Sequence, residues 1–139
     1  MSMNNFASFL NLMLIIYPKF YTAYDTSKNE LVFLKTNEPE LHAITVTDKT
    51  QCEAVSNHFH IFDKVGQKNY DYAIDAGKTI ANNLLNSLTQ TFPSKKFVVY
   101  LEVNVKDSVT IRFHQVWDNE PPYFDMTQNY GDITIFELR

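Results

Sequence analysis

Residues 70–92 carry the clearest hydrophobic pattern in the chain. Apolar residues recur there every three or four positions, which is the spacing of one face of a helix. Asp71, Asp75 and Lys78 fall between them and mark an opposite, solvated face. The pattern stops just before Pro93, because proline cannot continue a helix. We predict a long helix with an apolar face made of Tyr70, Ala73, Ile74, Gly77, Ile80, Ala81, Leu84, Leu85 and Leu88.

A second helical pattern covers residues 6–17 and ends at Pro18. Its apolar residues lie on most sides of the helix, so we predict that the helix is largely buried. The stretch is too short to span a bilayer, and it lacks the basic flank and cleavage site of a signal peptide. We therefore expect a cytoplasmic protein that does not engage a membrane.

A third helical pattern begins at residue 48, where an Asp followed three positions later by a Gln resembles a capping pair. Cys52, Val55, Phe59 and Phe62 then occur at i, i+3, i+7 and i+10. This stripe predicts a helix that ends near residue 66, with Cys52 in the core.

The segment 58–63, HFHIFD, raises the question of a metal site. In a strand, His58 and His60 would share a face and could bind one ion. In a helix, residues two apart point about 200° away from each other and cannot chelate. Because the stripe favours a helix, we predict no metal site.

Short strand-like runs fill residues 20–24, 31–35 and 41–46, separated by turn-rich segments. The first two flank the sequence DTSKNE and predict a hairpin.

A strong hairpin is predicted in the C-terminal third, where apolar residues alternate along 97–105 and 109–117. The odd-numbered positions form one apolar face, with Gln115 as the exception. A three-residue connection, Lys106 to Ser108, keeps both apolar sets together by pairing Val105 with Val109. This register places Glu102 opposite Arg112 and Tyr100 opposite His114.

The last strand is predicted over residues 132–138, beside this hairpin. The element order is then roughly α-βββ-αα-βββ, which indicates an α+β fold with an antiparallel sheet covered on one face by helices. The chain of 139 residues, 45% hydrophobic, fits a single domain. The pattern leaves the strand order open, and we assume that the helices cover the odd-numbered face.

Composition excludes several classes of function. The net charge of −4 disfavours a non-specific nucleic-acid binder. Cys52 is the only cysteine, so an intrachain disulfide is impossible and a reducing compartment is expected. Phosphate-binding and dinucleotide-binding glycine motifs are absent from the sequence, and we predict no cofactor.

The even-numbered face of the C-terminal hairpin holds the best polar cluster: Tyr100, Glu102, Asn104, Arg112 and His114. One hypothesis makes it catalytic, with His114 as acid or base and Arg112 as an anion clamp. The other makes it a solvated sheet face with a cross-strand Glu–Arg pair. We favour the solvated face, because exposed antiparallel faces commonly look like this. A binding surface that uses the same residues also stays open.

The segment 118–125 follows the only tryptophan, Trp117, and allows three interpretations. In the first, Asp118 or Glu120 is the acid–base partner of His114. In the second, the segment is a strand exit that places Tyr123 and Phe124 on the core. In the third, it is a rigid acidic-aromatic binding loop. Its two prolines stiffen it. Aromatic anchors on a stiff loop bind partners at low entropic cost, so the last two interpretations carry equal weight.

The acidic, aromatic C-terminal half, from FVVYLEV through RFHQVWDNEPPYFD to NYGD, resembles the small cytoplasmic immunity proteins of bacterial contact-dependent inhibition and other polymorphic toxin systems. The resemblance implies a non-enzymatic inhibitor whose partner is a cognate toxin domain, often a nuclease with a basic active site. The expected contact surface consists of Tyr100, Glu102, Arg112, His114, Trp117, Asp118, Glu120, Tyr123, Phe124, Asp125 and Asp132.

Two alternatives belong to other classes. A small hydrolase or transferase would use His114, Arg112 and Glu120 in a pocket. A non-enzymatic, oligomerising partner subunit would need no catalytic group. The sequence leaves the oligomeric state open.

Overall fold

The fold is α+β, as predicted. The computed structural model describes residues 3–104 and 107–139; the predicted partner Val105 and the loop residue Lys106 lie outside them. The elements in chain order are α1 (Met3–Ile16), β1 (Phe20–Asp25), β2 (Glu30–Leu34), β3 (Ala43–Ile44), α2 (Lys49–Ser56), β4 (His58–Asp63), a 3-10 turn (Gln67–Asn69), α3 (Tyr70–Thr91), β5 (Phe97–Asn104), β6 (Ser108–Gln115) and β7 (Ile133–Leu138).

The larger sheet has four antiparallel strands in the order β4-β6-β5-β7. The predicted position of β7 beside the hairpin is confirmed. The hairpin register differs from the prediction by two residues, since Val103 pairs with Val109 and Tyr100 pairs with Arg112. A shift of two residues leaves every side chain on its predicted face. The hydrophobic alternation therefore determined the faces and left the loop length undetermined.

Helix α3 covers the odd-numbered face of this sheet, and its predicted apolar face is confirmed. The two elements approach closely at Gly77, where an added Cβ would lie 2.7 Å from Leu101 Cδ1. Phe20 of β1 joins the same core with its ring edge-on to Phe113, 6.1 Å between centroids. The buried core consists of Ile15, Val32, Leu34, Ile61, Val65, Ala73, Ala81, Leu84, Leu88, Phe97, Val99, Leu101, Val103, Val109, Ile111 and Phe113.

The smaller sheet has the order β2-β1-β3. The predicted hairpin of β1 and β2 is confirmed, with Phe20 opposite Leu34. The predicted strand at 41–46 shortens to Ala43–Ile44, which pairs parallel to β1. Alternate residues of β2 point to different cores, and its second face packs with β1 and Trp117 in a cluster of Ala23, Leu31, Phe33, Tyr21, Ile44, Val46, Cys52 and Trp117.

The predicted helix from 48 to 66 is wrong beyond Ser56. Residues His58–Asp63 form strand β4 at the edge of the four-stranded sheet. A β-bulge shifts the register between His60 and Phe62, so that Phe59 pairs with Ile111 and Phe62 with Val109. The bulge gives these two core residues a spacing of three, which resembles a helical repeat.

Helix α1 forms as predicted but is not largely buried. It packs on β4 and α3 through one side, where Ile15 is fully buried. Its other side exposes Phe6, Phe9, Leu10, Met13 and Ile16, followed by Tyr17 beyond the helix end. In the described ranges, no helix combines the length and hydropathy needed to cross a bilayer.

Candidate functional site at the C-terminal cover segment

Residues 118–132, which we call the cover segment, cross the even-numbered face of the four-stranded sheet on their way from β6 to β7. The predicted solvated face is therefore wrong at its centre. The relative exposure of Tyr100 is 0% and that of His114 is 1%. The apolar residues Val98 and Val116 on this face indicate partial cover, but the path of the cover segment, which has no regular structure, is not encoded in the periodicity of the strands.

Three aromatic rings of the cover segment pack together, and Phe124 joins them to the sheet. Phe124 stands edge-on to Tyr100 with 5.0 Å between centroids, and it contacts Tyr123 and Tyr130 at 4.8 and 5.2 Å. The Tyr130 hydroxyl accepts from Asp125 N and donates to Asp125 O, both at 3.0 Å. Edge-on aromatic pairs each stabilise by about 0.5–1.5 kcal/mol beyond burial. Tyr123 and Phe124 thus pack on the sheet as the strand-exit interpretation expects, but on its even-numbered face and outside both hydrophobic core clusters.

His114 lies beneath this segment with both ring nitrogens engaged. Its Nδ1 donates to Gln115 O at 2.7 Å, and its Nε2 accepts from Tyr123 N at 3.2 Å. Burial lowers the pKa of His114, which favours the neutral ring that this pattern requires. A neutral imidazole with both nitrogens bonded internally has no atom left for proton transfer to a substrate.

Each guanidinium nitrogen of Arg112 also has a partner within the protein. Its guanidinium binds Glu102 through Nε at 2.9 Å and Nη2 at 3.3 Å, while Nη1 donates to Ala54 O at 2.7 Å. The group stacks 4.6 Å from the centre of the Tyr123 ring. The predicted Glu102–Arg112 pair forms diagonally across the strands, and it leaves no free fork for an anion.

Glu120 does not face His114 as an acid–base partner; it closes the N-terminus of α2. Its carboxylate accepts from Thr50 N and Thr50 Oγ1, both at 2.7 Å, and from Lys49 N at 3.2 Å. Lys49 Nζ lies 2.9 Å away. Burial alone would raise the pKa of Glu120, but the bonds from Lys49 and Thr50 outweigh it and lower the pKa to about 2. The predicted cap of Asp48 on Gln51 N is confirmed alongside it.

Trp117 belongs to the second hydrophobic cluster. Its Nε1 donates to Glu53 Oε1 at 2.7 Å, and Lys49 Nζ lies 5.2 Å from its ring centre. The ring is half-buried, so only part of it is available to a partner.

Glu53 is a further highly connected polar group, and the sequence pattern did not predict it. Its side chain is fully buried and accepts from Val32 N, Gln115 N, Gln115 Nε2 and Trp117 Nε1 at 2.7–3.0 Å. Burial raises the pKa of Glu53, and the four donors oppose that rise. The polar exception Gln115 on an apolar face was the signal that could have revealed this site.

Asn57 acts with Glu53 along the edge of β2. Its side chain accepts from Leu34 N at 3.0 Å and donates to Val32 O at 2.9 Å. Together, these two side chains take the place of a neighbouring strand and join the two sheets, because backbone groups at a buried edge need partners.

His114 and Glu120 line the same cavity of about 150 Å³, together with Thr50, Val98, Pro121 and Arg139. Both titratable groups point their lone pairs or protons at protein partners, as described above. His114 and Glu120 therefore lie at one cavity, as the catalytic hypothesis requires, but their polar atoms are hydrogen-bonded to the protein itself. Within the ranges described, no cluster of three or more His, Cys, Asp or Glu is placed to hold a metal.

A scan of protein-family profiles matches residues 11–137 to the Uncharacterized protein PM0498 family. The chain belongs to this family. Searches of curated proteins and of solved structures found no match. The surface that this PM0498-family chain offers at the cover segment is acidic, since Asp118, Asp125 and Asp132 are exposed while Glu120 is turned inward.

Proposed function

We propose that the protein is a non-enzymatic, cytoplasmic inhibitor of the immunity type that binds a cognate toxin domain through the outer surface of the cover segment. One observation carries the proposal: the segment turns its aromatic rings onto the sheet and leaves carboxylates on the outside. The contact surface is then narrower than the sequence implied, since Tyr100 and His114 are buried. It centres on the exposed Asp118, Asp125 and Asp132 rather than on the sheet.

Charge supports a basic partner such as a nuclease active site. Between residues 113 and 138 the chain has five acidic residues and no lysine or arginine. Glu120 and Glu137 are paired with Lys49 and Arg139, each at 2.9 Å. Exposed carboxylates of one sign accelerate association with an oppositely charged partner and make it salt-dependent.

Internal bonding of the cover segment supports a preformed binding surface. Asp125 Oδ1 accepts from Thr127 N and Thr127 Oγ1 at 2.9 and 2.6 Å, which fixes the turn below Tyr130. Pro121 and Pro122 restrict the backbone on the other side. A loop that is ordered before binding loses less conformational entropy when the complex forms.

No observation favours the hydrolase or transferase alternative over this proposal. That alternative requires His114, Arg112 and Glu120 to act on a substrate, and each is bonded to the protein itself. A polar group that already has internal partners must break them before it can react, at a cost of about 1–3 kcal/mol.

The proposal is tested with the C-terminal domain of the protein encoded immediately upstream. Tight binding and rescue of growth on co-expression are expected. The double variant Asp118→Lys/Asp132→Lys should weaken the affinity at least tenfold. The matched control, Asp71→Lys/Asp75→Lys on the exposed side of α3, should keep it. No binding at all, or equal losses in both variants, would overturn the proposal.

A second candidate, an oligomerising subunit, is favoured by α1. Its exposed residues Phe6, Phe9, Met13 and Ile16 fall on alternate three- and four-residue spacings, as a and d positions do in a coiled coil. None of the residues 3–16 is charged. A helix that binds a membrane surface usually carries Lys or Arg on its polar face, so an uncharged stripe favours the same stripe of a second copy.

A further inference from the structure

Strand β4 presents His58 and His60 on one face, because residues two apart in a strand point the same way. Both side chains are exposed. We propose that these two histidines form a surface site for a divalent transition-metal ion of the Cu²⁺, Ni²⁺ or Zn²⁺ class. The proposal does not depend on the function proposed above.

The hydrogen bonds at Nδ1 prepare both rings as ligands. His58 Nδ1 lies 2.7 Å from the carbonyl oxygen of Val55, which can only accept, so the proton is on Nδ1 and the lone pair is on Nε2. His60 Nδ1 lies 3.0 Å from Thr110 Oγ1, which can accept in the same way. Metal-binding histidines almost always donate their second nitrogen to an oxygen, because this fixes the tautomer and the ring orientation.

The separation of the rings suits one ion. A metal about 2.1 Å from each Nε2 at a tetrahedral angle places the two ring centroids about 5 Å apart. The observed separation is 6.1 Å, with the ring planes 75° apart. A small rotation about each χ1 within its staggered well moves the centroids and closes this difference.

The surroundings define an open site. Arg112 lies opposite His58 in the neighbouring strand, and its charge is paired with Glu102. Next to His60, a groove of about 360 Å³ is lined by polar and charged side chains, which include Ser8, Asp63, Lys64, Asp107 and Ser108. With two imidazole ligands, water completes the coordination, and the affinity should follow the order Zn²⁺ or Ni²⁺ below Cu²⁺.

Titration of the full chain with Cu²⁺ alone tests the site. We expect one ion per chain in calorimetry, and an electron paramagnetic resonance spectrum with hyperfine splitting from two imidazole nitrogens. His58→Ala and His60→Ala should each weaken binding by about tenfold or more and leave one coordinated nitrogen. His42→Ala is the matched control, since His42 is also exposed but has no other histidine within ten positions in the sequence. This variant should leave the Cu²⁺ affinity and the spectrum unchanged.

Thr110→Val tests the positioning role of the second hydrogen bond. Loss of an outer-shell partner typically costs about 10–100-fold in metal affinity, and the variant should show a weaker two-nitrogen spectrum. Equal losses in all three histidine variants, or a one-nitrogen spectrum in the unmodified chain, would show adventitious binding to single histidines and overturn the proposal. Circular dichroism of each variant separates these results from misfolding.

Discussion

Glu53 is one of the two side chains that join the two sheets, the other being Asn57. The Glu53 carboxylate accepts four N–H hydrogen bonds, so any hydrogen-bond donor at its position would face another donor. Glu53→Gln keeps the shape but turns an NH₂ group toward at least one N–H. We expect the free energy of unfolding to fall by about 2–3 kcal/mol, the cost of unsatisfied buried polar groups.

Urea denaturation at pH 7 measures this effect. Glu38→Gln makes the same chemical change at an exposed position and should alter stability by less than about 0.5 kcal/mol. If Glu53→Gln is as stable as the parent chain, the four N–H donors do not require an ionised acceptor, and the junction does not depend on this carboxylate.

Glu120 predicts a specific pH dependence. In the folded chain it stays ionised down to a pKa of about 2, whereas an ordinary glutamate is protonated near pH 4.5. Its contribution to stability is therefore complete above pH 4.5 and is lost as the pH falls toward 2. At about 1.4 kcal/mol per pH unit, the difference between 4.5 and about 2 corresponds to about 3 kcal/mol.

The comparison of the parent chain with Glu120→Gln isolates this contribution, since other carboxylates titrate equally in both. The stability difference should be largest at pH 7 and should vanish near pH 2. Asp118→Asn, an exposed change in the same segment, should show almost no difference at any pH. A gap between Glu120→Gln and the parent chain that is independent of pH would refute the assignment of Glu120 as the ionised cap of α2.

At the scale of elements, α3 lies close against β5 at Gly77. Gly77 permits it, because any Cβ would press on the buried side chain of Leu101. Gly77→Val should destabilise the protein by about 1–3 kcal/mol through overpacking. Ala76→Val, one position away on the exposed side, should cost only the lower helix propensity of valine, about 0.5 kcal/mol. Thermal unfolding of the two variants decides whether packing or propensity dominates.

The same elements show what a sequence pattern can and cannot fix. In α3 the apolar positions that recur every three or four residues face one sheet, so the regular period predicts that face residue by residue. In β4 the bulge at Ile61 places Phe59 and Phe62 on one side at helical spacing. A strand that contains a bulge loses its period of two, and only the pairing with β6, which is remote in sequence, identifies it.

The candidate site was only partly predictable for a related reason. The alternation of β5 and β6 correctly placed Tyr100, Arg112 and His114 on one face. Whether that face meets solvent depends on the path of the cover segment, which is set by contacts such as that of Phe124 with Tyr100. Those contacts join residues distant in sequence and have no local signature.

At the scale of the whole molecule, two surfaces lie on different parts of the fold: the acidic cover segment and the apolar stripe of α1. The stripe exposes Phe6, Phe9, Leu10, Met13, Ile16 and Tyr17 by 36–72%. Large side chains have a surface of about 150–250 Å² each, so the exposed fractions add up to about 500 Å² of exposed side-chain surface per chain. Two such stripes packed together bury about 1,000 Å², the lower limit for a specific interface.

We therefore expect a concentration-dependent homodimer formed by packing α1 against α1 of a second copy. Sedimentation velocity between micromolar and millimolar concentrations should show it. Phe9→Glu/Met13→Glu places two carboxylates in the middle of the stripe and should abolish dimerisation, since burying unpaired charges of like sign is strongly unfavourable. The variant should still fold, because both side chains are exposed within one chain.

Tyr72→Glu is the matched control, as Tyr72 is a large apolar residue exposed on α3, and it should leave the dimer intact. If the chain stays monomeric at every concentration, the apolar stripe of α1 does not bind a second copy. Binding of the upstream-encoded toxin domain by the monomeric Phe9→Glu/Met13→Glu variant would then separate the two surfaces. Inhibition through the cover segment requires that this variant bind as tightly as the parent chain, because the acidic residues of that segment are untouched.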